Sequence, residues 1–69
     1  MTSINLDCAS DYELRSVAVD PHAHPLQAAY AANLLRARKA RIVGRIGDAL
    51  VIEANLDSQY SRMPSEVRW

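Results

Sequence analysis

The sequence predicts a small α+β domain, a two-layer β-α-β-β arrangement with one helix packed across a three-stranded sheet, antiparallel or mixed. Three observations predict it. Residues 12–19 are rich in strand formers and stop at a proline-bounded break, residues 25–40 are built from strong helix formers, and residues 41–54 alternate β-branched and small residues around Gly47-Asp48.

Residues 1–10 read as a flexible lead-in, with no positive segment or apolar core that would make a signal peptide. Tyr12 to Val19 reads as the first strand, although Leu14 and Val17 then fall on opposite faces. Asp20-Pro21-His22-Ala23-His24-Pro25 breaks it, because neither proline can donate to a ladder. Pro25 suits the first position of a helix, where its missing N–H costs nothing, and His24 stands where a cap would stand. That helix is expected over 25–40. Leu26, Tyr30, Asn33, Leu34 and Ala37 share one face, while Ala28, Ala31, Ala32 and Leu35 form a second apolar strip. A helix apolar on two sides is covered on two sides, by the C-terminal tail or by another molecule.

Residues 41–54 read as a hairpin. A three-residue loop, Gly47-Asp48-Ala49, places Ile42, Gly44, Ile46, Leu50 and Ile52 on one core face, whereas a two-residue loop mixes core and solvent positions. The tail, 55–69, is expected to pack back on the domain. Leu56, Tyr60 and Met63 have the spacing of a short helical turn that Pro64 ends, and 66–69 is a candidate fourth, edge strand.

Sixty-nine residues make a single domain, 1–69. A chain this short supplies only about 3–5 kcal/mol of net core stability, which leaves little for a strained catalytic cavity. Cys8 is the one cysteine, so no intramolecular disulfide forms and a cytoplasmic setting is expected. No apolar run approaches a membrane span, so no membrane partner is expected.

The net charge is zero but unevenly laid out. Residues 1–35 set Asp7, Asp11, Glu13 and Asp20 against Arg15, whereas Arg36, Arg38, Lys39, Arg41 and Arg45 stand together with no acid among them. Part of that cluster complements the negative end of the helix macrodipole. His22-Ala23-His24 after a strand resembles the metal-binding start of amidohydrolases, over five residues. Those enzymes take further ligands from later barrel strands, and no other histidine is present. His22 and His24, with Cys8 or Asp20, remain weak candidates for a metal. The serines lie in no nucleophile elbow, and two glycines build no phosphate cradle, so neither enzyme activity nor a cofactor is expected.

The expected function is therefore a small non-enzymatic binding protein that docks on a protein partner or on itself as a homodimer. In size and lack of catalytic groups the chain is similar in type to the small inhibitors and regulators of phages and mobile elements, including anti-CRISPR proteins. Arg36, Lys39, Arg41, Arg45, Val43 and Trp69 are the candidate contact residues, since arginine and large aromatics are enriched at binding hot spots. Trp69 has an alternative use as a lid on a core short of large aromatics. The second functional expectation is nucleic-acid binding through Arg36, Arg38, Lys39, Arg41 and Arg45, in a helix-plus-hairpin unit that resembles half of a winged-helix DNA reader.

Overall fold

The computed structural model describes residues 5–69, and no strand occurs among them. A 3-10 turn, Leu6–Cys8, leads into helices α1 (Asp11–Val19), α2 (Pro25–Ile42) and α3 (Ile46–Arg62), and a second 3-10 turn, Ser65–Val67, follows. The fold is a small all-α, three-helix one, and the predicted β-α-β-β sheet is absent from the described residues. The helix expected over 25–40 is present and runs two residues further.

The predicted first strand is α1 because its start is capped. The Glu13 N–H donates to Ser10 Oγ at 3.2 Å, and the Glu13 carboxylate accepts the Ser10 N–H at 3.1 Å. This reciprocal box satisfies two N–H groups that a helix start leaves without partners. On a helix, Leu14, Val17 and Ala18 share one face, which resolves the faulty alternation of the strand assignment. The helix stops at Asp20, whose carboxylate accepts the His22 N–H at 2.8 Å and turns the chain toward α2. There His24 Nδ1 accepts the Leu26 N–H at 3.1 Å, and Pro25 occupies the first helical turn.

The predicted hairpin is also overturned. Gly44 has φ +83°, the left-handed region, and it terminates α2. Its N–H donates to the Arg41 carbonyl at 3.2 Å, and the Arg45 N–H reaches back to Ala40 at 2.7 Å. These are the two bonds of a Schellman ending. Gly47 and Asp48, assigned to the hairpin loop, lie in the first turn of α3, where Asp48 complements the positive end of that helix. Ile46, Val51 and Ile52 are only a few tenths of a kcal/mol poorer than alanine in a helix. Tertiary burial outweighs that cost: Ala49, Ile52, Leu56, Tyr60 and Met63 recur at helical spacing, and all five are buried or half-buried. Met63 leaves the helical conformation and Pro64 prevents its return.

The helix α2 lies between the other two and packs on both. It runs antiparallel to each. Arg38, late in α2, meets Asp11 at the start of α1, and Gln27, early in α2, donates to the Val67 carbonyl beyond the end of α3 at 2.8 Å. Apart from Leu26, which is exposed, the two apolar strips of α2 are thus buried or half-buried within the chain. Leu6, Ala9, Leu14, Tyr30, Ala31, Leu56 and Met63 form the core, and Trp69 closes it, edge-on to Tyr30 at 4.7 Å and stacked on Tyr60 at 4.9 Å. Asp7 ties this end together, accepting from the Tyr30 hydroxyl at 2.5 Å and from Trp69 Nε1–H at 3.2 Å. The Tyr60 hydroxyl donates to the Trp69 carbonyl. Burial, followed by the bond to Asp7, pushes the Tyr30 hydroxyl well above its ordinary pKa and keeps it a neutral donor.

Candidate functional site

The end of the molecule away from Trp69 is the α2–α3 corner, and its apolar side chains face solvent. Ile42 is 79% exposed, Val43 59%, Ile46 46%, Leu50 56% and Val51 63%. Three of these, Ile42, Ile46 and Leu50, belong to the core face that the sequence predicts for a hairpin, and with Gly44 they lie outside the core because the segment is a helix end and a helix start. Of that predicted face only Ile52 packs on the interior. The corner backbone is fixed by the Schellman ending of α2, and behind it the helices meet through Ala37, Ala40 and Ala49, all buried.

The five-cation block divides into two sets. Arg38 is engaged by α1: its guanidinium donates to Asp11 at 2.8 Å and to the Asp7 carbonyl at 3.3 Å. Arg41 is engaged by α3 in a two-pronged pair with Glu53, at 2.7 and 2.6 Å. That pairing holds the Glu53 carboxyl below its usual range and raises the Arg41 guanidinium further. Arg36, Lys39 and Arg45 have no ion-pair partner among the described residues. These three line one groove of about 530 Å³, together with Ala40, Val43, Asp48, Val51 and Ile52.

A second depression of about 410 Å³ continues this groove along the α2–α3 seam and shares Arg36 and Ile52 with it. Asn33, Asn55, Ser58, Gln59 and Arg62 complete its lining, so two arginines and four neutral polar groups stand there without an acid. Gln59 Oε1 is buried beneath it with no hydrogen-bond partner among the described residues. The seam supplies donors and positive charge beside an apolar end, chemistry that holds acidic groups next to an apolar anchor.

Of the predicted contact residues, Arg36, Lys39, Arg45 and Val43 come together in the groove, Arg41 is held by Glu53, and Trp69 lies at the other end, half-buried between two tyrosines. Asn33, Asn55 and Arg62 join the lining from outside the predicted set. An α3 drawn as strand, loop and tail could not align positions 51, 55 and 62 on one side, although their i, i+4, i+11 spacing carries the signal. His22 is exposed and His24 serves as the α2 cap. No group of three or more potential metal-ligating side chains occurs among the described residues, and no described helix is long and apolar enough to cross a membrane. No protein-family model, curated protein or solved structure matches the chain.

Proposed function

We propose that the chain is a small non-enzymatic binding protein, of the regulator or inhibitor type, that docks on a partner protein through the α2–α3 groove. One observation carries this reading: Val43 and Val51 stand exposed in a groove whose three cations, Arg36, Lys39 and Arg45, outnumber its single acid, Asp48. Exposing apolar surface costs free energy that a partner recovers, and a charged rim selects which partner does so. The partner presents an apolar side chain flanked by carboxylates.

The test is affinity capture from the source cells with the wild type and Val51→Glu in parallel, followed by titration of the purified partner. Val51→Glu and the Arg36→Glu/Arg45→Glu pair are expected to weaken binding at least tenfold, about 1.4 kcal/mol. A partner that binds all three proteins equally sinks the reading.

A second reading draws on the same seam. Arg36, Lys39, Arg45 and Arg62 present four cations against Asp48, which suits phosphates as well as carboxylates. Arg38 and Arg41, first grouped with them, are occupied by Asp11 and Glu53. Binding to random duplex DNA through four such contacts would show a log–log salt slope on the order of −3 to −4. A flat response, or no binding at low salt, removes this alternative.

A further inference from the structure

We infer that the outer side of the corner, carried by Ile42, Ile46 and Leu50, is a self-association surface occupied by a second copy of the chain. The two sides of the corner differ in a way that decides their occupants. Ile46, Leu50 and Ala54 follow one another at i, i+4 and i+8 on α3, so they form a single stripe, and all three are exposed. Ile42 is exposed just across the turn. None of the four lines the groove or the depression beside it.

The charge next to this stripe is cancelled within the chain. Glu53 is three residues on from Leu50, and Arg41 holds it in a two-pronged pair. The next acid, Asp57, is two helical turns beyond Leu50. Two copies meeting antiparallel at Leu50 therefore bring together apolar side chains and a neutral ion pair, while the exposed Asp57, on the same face about 10 Å further along α3, falls at opposite ends of the contact in the two copies. The groove side is the opposite case. Its Arg36, Lys39 and Arg45 would face their own copies, and that like-charge contact is unfavourable.

A contact of the stripe with itself is isologous, so it closes at two chains and leaves no free end for a filament. It sets α3 against α3, with α2 behind each, and so completes a helical bundle from two hairpins. The surface is small beside a standard protein interface, so a weak association, with a dissociation constant no tighter than the micromolar range, is the scale to expect. This contact is independent of the groove, which stays open in the dimer.

Light scattering and sedimentation equilibrium on the full chain, over about 1 μM to 1 mM, test it. The wild type is expected to move from 7.7 kDa toward twice that mass as concentration rises. Leu50→Glu and Ile42→Lys are each expected to remain at the monomer mass, with helical circular dichroism unchanged because both positions are exposed. Val51→Glu, in the groove, keeps the dimer while losing the partner protein, so failure of the two proposals is told apart. A wild type that stays monomeric at about 1 mM overturns the inference. So does a dimer that Val51→Glu disrupts as strongly as Leu50→Glu.

Discussion

The two ends of the α2–α3 hairpin are built on different principles. At the tail end, side chains from four segments converge: Leu6 and Asp7 from the first turn, Tyr30 from α2, Tyr60 from α3, and Met63 and Trp69 from the chain beyond it. The polar tips there bond to one another, so large rings are covered at no cost in unsatisfied groups. At the corner, the fully buried contacts between the helices are alanines, and most of the larger apolar side chains are exposed beside cations. One end holds the fold together by burial. The other relies on backbone geometry and one ion pair, which leaves its apolar atoms available for binding.

The largest contrast is expected from leucine truncations. Leu14 is fully buried, and Leu14→Ala should cost about 2–5 kcal/mol, enough to leave a chain this small largely unfolded. Leu50→Ala at the corner should stay within about 0.5 kcal/mol in monomer thermal melts. Comparable losses at both sites would mean that the corner is part of the core. Trp69→Ala tests the tail end in the same way. Removing the ring that touches both Tyr30 and Tyr60 should cost about 2–3 kcal/mol, seen in urea unfolding followed by circular dichroism.

The glycines sharpen the comparison by sign. Gly44→Ala forces an L side chain into φ +83° and should destabilise by about 1–2 kcal/mol. Gly47→Ala, in the first turn of α3 with open space around it, should stabilise by about 0.5–1 kcal/mol. A hairpin would require the loop glycine, Gly47, to be the sensitive one, so this pair of melts decides between the two backbones.

The smallest expected effect is that of pH. Glu53 has its carboxyl lowered by Arg41, so the folded state binds that proton less readily than the unfolded chain. Its contribution is therefore present above the ordinary glutamate range and disappears as pH falls through the lowered value. Glu53→Gln should flatten that part of the acid limb in a pH series of melts. The effect is small because the pair is exposed and screened by salt. Tyr30 acts in the other direction. Its raised pKa stabilises the fold below about pH 10, and that contribution is lost as the solution becomes more alkaline.

More of the helical fold was legible than the α+β assignment used. Ser10-Asp11-Tyr12-Glu13 is a capping-box pattern, Leu14, Val17 and Ala18 keep helical spacing after it, and Gly44 sits where a helix would end. The strand assignment of 41–54 arose from the exposed Ile42, Val43, Ile46, Leu50 and Val51. Hydrophobic periodicity reports burial only when exposed positions are polar, and here apolar residues occupy both sides of the corner. The residues that obscured the fold are the ones that make the candidate surfaces.

By itself the sequence determined the α2 helix with its proline start, its two apolar strips, the proline stop near position 64 and the concentration of cations between 36 and 45. Each of these is a local property, set by backbone dihedrals, propensity or composition over a few residues. The tertiary structure alone decided which cations stay available. Arg38 finds Asp11 and Arg41 finds Glu53, 27 and 12 residues away, while Arg36, Lys39 and Arg45 meet no such acid among the described residues. It also decided that α1 and α3 both pack on α2 and leave the corner's larger apolar side chains open. Coulomb and burial energies depend on distances through space, and no spacing along the chain states those distances.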